Sequence, residues 1–225
     1  MLRLVVLWIA CALVVAACGG DEKASGEQDA ATATPTQAGP AGCQAAEAPK
    51  PKGEGKLAKP KERLDGSTTY VATVSTNCGD FQITLDSKQA PKTGGSFKYL
   101  ADKGFYDGTT FHRVVGGFVI QGGDPKGDGT GGPGYSVIEP PPKKLVYEKG
   151  VVAMAKTAAE PPGTSGSQFF VVTGEVVDLP PEYALLGRVT AGQDVVDKIG
   201  VTETDPATEK PVDPIVIKSI KVAAK

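Results

Sequence analysis

Regular alternation of apolar and polar residues begins only after about Ser67 and then runs to the end of the chain. TTYVATVST (68–76) is rich in β-branched residues, and FQITLD (81–86) sets Phe81, Ile83 and Leu85 on one face. NCGD lies between them and carries the glycine that a tight turn needs, so the two runs predict a β-hairpin. Pro91 opens a helical stretch with Phe97 and Leu100 on one side and Gly104 as its stop. Six more short apolar runs follow: FHRVV (111–115), FVIQG (118–122), GVVAMAK (150–156), QFFVVT (168–173), ALLGRV (184–189) and PIVIKSIKV (214–222). A second short helix is predicted from Gln193 to Ile199, ended by Gly200. Many short strands and few helices predict a mainly β fold, an antiparallel barrel or sandwich; a closed barrel leaves no edge to protect.

The region before this pattern divides in two. Residues 4–17, LVVLWIACALVVAA, form an uncharged apolar run preceded by Arg3. It is shorter than the roughly 20 residues of a membrane span and suits the h-region of a signal peptide at 1–17. VAAC then places small residues before Cys18, as in a bacterial lipobox, where the cysteine is acylated and becomes the new N-terminus. An ordinary secretory signal and an uncleaved anchor are the alternatives. From Gly19 to Gly66 there is no aromatic residue, Val, Ile or Met, and the only large aliphatics are Leu57 and Leu64. So little apolar surface predicts that 18–66 is a lipidated flexible tether, with the folded domain at 67–225. The expected location is therefore extracytoplasmic, with the chain held to a bacterial envelope membrane through Cys18. Cys11 would leave with the signal, so Cys43 and Cys78 remain; export favours a disulfide between them over two free thiols.

Composition removes several function classes. A net charge of −2 offers no basic field for nucleic acid. GDGTGG (127–132) matches G-x-G-x-x-G, but Pro133 and Gly134 follow where a dinucleotide site needs a helix, so it reads as a loop. His112 is the single histidine, and no G-x-S-x-G is present for a serine hydrolase. The His and Cys left after lipidation are too few for a zinc site, and His112 reads as a structural strand residue. What core packing does not explain is Arg113 with Gln121 and Gln168 among phenylalanines, since buried polar groups need partners. Rings beside an arginine and amide donors suit a shallow pocket for something apolar attached to a carbonyl.

FHRVVGGFVIQGGD (111–124), GTGGPGY (129–135), GVVAMAK, GTSGSQFF (163–170) and ALLGRV occur in this order and spacing. Together they resemble a cyclophilin, a peptidyl-prolyl cis-trans isomerase, over about residues 68–222. The resemblance implies an eight-stranded antiparallel closed β-barrel capped by two α-helices. It implies a catalytic arginine at Arg113, a proline pocket of Phe118, Val119, Phe170 and Leu179, and groove glutamines at Gln121 and Gln168. Gln121 would orient Arg113 and the substrate carbonyl. Ala155 and Lys156 match the pair whose backbone contacts the substrate, and Tyr183 stands where animal members often have His. The chain departs from the family at Asp178, where many members carry a cyclosporin-binding Trp, at Val119, smaller than the usual Met, and in KTAAEPPG (156–163), longer than the animal form. The implied substrates are proline-containing polypeptides, with no cofactor and no metal; a monomer is expected. The competing readings are a module or chaperone that binds proline segments with incidental turnover, and a barrel holding a small ligand. The second is disfavoured because barrels of this size fill their interior with side chains.

Overall fold

The computed structural model describes residues 42–225. Twelve strands and two helices follow in the order β1 (Tyr70–Thr76), β2 (Gly79–Leu85), α1 (Pro91–Asp102), β3 (Thr109–Val115), β4 (Val119–Asp124), β5 (Val137–Ile138), β6 (Tyr147–Glu148), β7 (Val151–Met154), β8 (Thr164–Ser165), β9 (Phe169–Val172), β10 (Val176–Val177), β11 (Leu185–Ala191), α2 (Gln193–Gly200) and β12 (Val216–Ala224). Eight of these strands close an antiparallel barrel in the order β1-β12-β3-β4-β9-β7-β11-β2. The alternation leaves a barrel and a sandwich open; the observed fold is the closed eight-stranded barrel that the family resemblance implies. Two ribbons of two-residue strands, β5 with β8 and β6 with β10, stand outside it.

The predicted hairpin is β1–β2, with Phe81, Ile83 and Leu85 all turned inward and no more than 2% exposed. Its core is an aromatic cluster. Phe169 meets Phe97, Tyr106 and Phe111 edge-on, with centroids 5.6, 5.9 and 5.8 Å away. The interior is filled with side chains, which excludes a ligand inside the barrel. Helix α1 starts at Pro91 and supplies Phe97, Leu100 and Ala101 to that core. It ends before Gly104, whose φ of 63° is the left-handed conformation of a helix stop. Helix α2 buries Val195, Val196 and Ile199.

The expected free tether does not extend to residue 66. Residues 42–66 form a strap along the barrel, and only residues 18–41 of the predicted tether lie outside the described residues. Cys43 is 2% exposed and joined to Cys78 by a disulfide. Leu64 is buried, and Leu57 packs on the core. The strap's N–H groups at Gln44, Lys52, Gly55, Leu57 and Leu64 donate to the carbonyls of Asn77, Pro125, Gly132, Pro133 and Pro91 at 2.8–3.0 Å. Apolar side chains are too few to order this segment; backbone hydrogen bonds and one cross-link do so instead.

The strap comes so close to α1 that an added Cβ at Gly95 would lie 2.5 Å from the Glu62 carbonyl oxygen and 2.9 Å from Arg63 Cα. Gly to Ala inside a helix normally stabilises by up to about 1 kcal/mol. Here Gly95→Ala is expected to destabilise by about 1–3 kcal/mol, because the obstacle is backbone. Urea denaturation gives the sign, and a gain in stability would mean that the strap yields freely.

Candidate active site

Strand register assembles the site. Across β3 and β4, Arg113 pairs with Gln121; across β4 and β9, Gln121 pairs with Phe170; across β9 and β7, Phe170 pairs with Ala153. One row across four strands thus sets a guanidinium, an amide and an aromatic ring side by side. The β3–β4 turn is tight, with Gly117 at φ 68° and Phe118 N–H donating to the Val115 carbonyl. That turn swings Phe118 to the end of the row. Leu179 and Tyr183 come from the loop after β10.

A cavity of about 260 Å³ results, lined by Arg113, Phe118, Val119, Gln121, Ala155, Lys156, Phe170, Leu179 and Tyr183. Nine of the ten residues picked from the sequence therefore meet in one place. Val119 and Phe170 are buried, while Phe118, Leu179 and Tyr183 are half-buried and form its rim. The Tyr183 ring stands edge-on to Phe170 at 5.4 Å. Beneath it, the Tyr147 hydroxyl donates to the Tyr183 carbonyl at 2.9 Å and accepts its N–H at 3.1 Å. Burial pushes the Tyr147 hydroxyl up to about 12, so it stays a neutral donor. Sequence reasoning missed Tyr147; its strand has two residues and carries no periodic signal. Lys156 is only 4% exposed through its side chain. Its ammonium is committed to Glu182 Oε2 at 3.2 Å and to the Glu160 and Thr157 carbonyls, and it sits 5.6 Å from the centroid of the Tyr183 ring. Asp178 is exposed and lies outside the cavity lining.

The tenth residue, Gln168, lies next door. It lines a second cavity of about 700 Å³ with Gly129–Ser136, Glu160 and Glu54 of the strap, which shares Gln121, Ala155 and Lys156 with the first. Its amide is fully engaged. Oε1 accepts from Gln121 Nε2 at 3.0 Å, and Nε2 donates to the Gly129 and Gly131 carbonyls at 3.0 and 2.9 Å. Gln168 therefore braces the 129–131 loop that lines the larger cavity, and it does not line the smaller one.

Among the described residues no hydrogen bond joins Gln121 to Arg113, although the two are cross-strand neighbours. Gln121 donates to Gln168, whereas Arg113 Nε donates to Glu209 Oε2 at 2.5 Å. Glu209 sits 96 residues further on and was not singled out; nothing in its local sequence marks it. It is the only non-glycine residue with positive φ among those described, at 58°, a conformation that costs on the order of 1 kcal/mol.

Two sequence readings hold nearby. GDGTGG lies in a loop held from its start by Asp124 at the end of β4, whose carboxylate accepts the N–H groups of Lys126, Asp128 and Gly129. His112 is a buried strand residue, and among the described residues neither ring nitrogen has a hydrogen-bond partner. Burial lowers its pKa despite the nearby Asp124 carboxylate, so the folded form holds a neutral imidazole. The unfolded chain takes up that proton at about pH 6.5. His112 thus favours folding above that pH, and the contribution is lost as pH falls through the depressed folded value. His112→Phe is expected to flatten the loss of thermal stability between pH 7.5 and pH 5. An unchanged slope would assign the loss to other groups.

Residues 71–222 match the family model described as cyclophilin type peptidyl-prolyl cis-trans isomerase/CLD. The chain belongs to the cyclophilins. Peptidyl-prolyl cis-trans isomerase B of Streptomyces anulatus is 41% identical to this cyclophilin over 173 residues, which cover 68% of the chain and 97% of the relative. Peptidyl-prolyl cis-trans isomerase A of Mycobacterium tuberculosis is 40% identical over 173 residues, covering 69% and 93%. The crystal structure of a Cryptosporidium parvum cyclophilin type isomerase, determined in the presence of the dipeptide Ala-Pro, is 34% identical. It superposes with a TM-score of 0.63 over 69% of this chain and 99% of its own. This cyclophilin is accordingly a peptidyl-prolyl cis-trans isomerase.

Proposed function

We propose that the 260 Å³ cavity holds the pyrrolidine ring of an Xaa-Pro segment and that Arg113 accelerates its isomerisation by binding the twisted amide. The observation that carries this reading is the row that places Arg113 and Gln121 beside Phe170 on one face of the barrel. An Xaa-Pro bond rotates slowly because twisting breaks amide resonance, against a barrier of about 18–20 kcal/mol. At the top of that barrier the prolyl nitrogen regains a lone pair, which the planar amide lacks. A donor aimed at the nitrogen therefore binds the transition state better than either ground state. Arg113 supplies such a donor, permanently charged. Phe118, Val119, Phe170 and Leu179 hold the ring while the other side of the bond turns. No nucleophile, metal or cofactor enters this scheme.

The clients in this proposal are exported polypeptides folding outside the cytoplasm. The apolar run 4–17 with Cys18 supports that setting and a lipid anchor, although both lie outside the described residues. The Cys43–Cys78 disulfide supports it independently, since such bonds persist in oxidising compartments. The test is NMR exchange spectroscopy on an Ala-Pro peptide with a catalytic amount of the protein. Accelerated exchange is expected. A peptide that binds without faster exchange would instead support the recognition module.

A further inference from the structure

We infer that Glu209 is the positioning residue of Arg113, fixing the plane of the guanidinium before substrate arrives. The inference rests on the reading of Arg113 as the group that acts on the prolyl nitrogen. Arginine reaches its target through several rotatable bonds, and the Arg113 side chain is 34% exposed, so packing alone does not hold it. The Glu209 carboxylate takes the Nε–H. That contact leaves the four Nη–H donors uncommitted among the described residues while stopping rotation about the end of the chain. Gln121, the other candidate for this work, has its side-chain hydrogen bond to Gln168 rather than to Arg113.

The loop carrying Glu209 is built to place it. Thr204 bridges Pro211, and Asp205 N–H donates to the Lys210 carbonyl at 2.9 Å. The Asp205 carboxylate accepts the N–H groups of Ala207 and Thr208 at 2.8 and 2.9 Å. Glu209 N–H closes the turn onto the Asp205 carbonyl at 2.8 Å. The loop is then fastened to β3 by the Val114 N–H, which donates to the Glu209 carbonyl at 2.8 Å. Glu209 thus touches two successive residues of that strand, Arg113 through its side chain and Val114 through its backbone. The left-handed φ lets one residue do both. Glycine, the residue that takes this conformation freely, could supply only the backbone contact.

That asymmetry gives the test. In the intact protein, Glu209→Gly and Glu209→Ala are compared with Glu209→Gln, which keeps an oxygen acceptor, and with Arg113→Ala. Line-shape analysis of the Ala-Pro peptide gives kcat and KM separately, and the Arg113 Nε–H resonance reports the guanidinium directly. Glu209→Gly and Glu209→Ala are expected to lower kcat tenfold or more, with KM within twofold, and to move the Nε–H resonance to the position of a solvent-exposed arginine. Glu209→Gln should recover most of the lost rate. Glu209→Gly should melt no lower than wild type, which separates lost positioning from lost fold. If kcat stays within twofold in Glu209→Gly and Glu209→Ala while Arg113→Ala is inactive, the pair is an ordinary surface ion pair and the inference fails. If Arg113→Ala itself retains wild-type kcat, it is the underlying mechanism that fails.

Discussion

Arg113→Ala is expected to leave a folded barrel that has lost most of its catalysis. Removing one preorganised donor to a developing charge costs about 2.7–4 kcal/mol in other enzymes, or about a hundredfold to a thousandfold in kcat. Stability should change little. The Arg113–Glu209 pair is half exposed, 34% and 44% through the side chains, and exposed pairs contribute at most about 1 kcal/mol. Arg113→Lys should recover little, because an ammonium on a flexible stem cannot give one edge to Glu209 and another to the prolyl nitrogen. Exchange spectroscopy beside a thermal melt checks both halves. Near wild-type turnover in Arg113→Ala would leave the apolar pocket as the catalyst and the arginine as bystander.

The largest effect on stability is expected from the double change Cys43→Ala and Cys78→Ala. The bridge spans 35 residues, and the entropy model for a loop of that size gives about 4 kcal/mol. For a domain of this size that corresponds to a fall in melting temperature of roughly 8–16 °C. Both cysteines are buried members of the main core cluster, so lost packing adds to the same sign. The strap's hydrogen bonds to Gly132 and Pro133 border the larger cavity, yet none reaches Arg113 or Phe170. Turnover below the new melting temperature should therefore persist. Calorimetry with and without reductant measures the shift. A change under 2 °C would show that hydrogen bonds alone hold the strap.

These two predictions draw on different amounts of sequence information. Arg113 and the pocket were legible because alternation in a strand fixes which residues share a face, and the family pattern named them. The barrel was legible for the same reason: Phe81, Ile83 and Leu85 can face only one way once FQITLD is a strand. What connects distant segments was not. The row from Arg113 to Ala153 depends on register across three strand pairs, which no local pattern encodes. Glu209 is chosen by the shape of a loop far along the chain. Gln168 lies on the expected face, but only its partners show that both ends of its amide are already spent. The strap failed for another reason: 49–63 is rich in Lys and Pro, and its order comes from backbone groups that every residue type shares.

The clamp at Cys43 also has a mechanical meaning. Under tension from the N-terminal side, a strap held only by hydrogen bonds would peel, one contact after another, toward the rim of the larger cavity. With Cys43 bonded to Cys78, the load passes through a covalent link into the turn between β1 and β2 and is shared by the hydrogen-bonded ladders on either side. Residues 44–66 then carry none of it. Their contacts with Gly132 and Pro133 stay at rest, and the cavities behind them keep their shape while the protein is pulled.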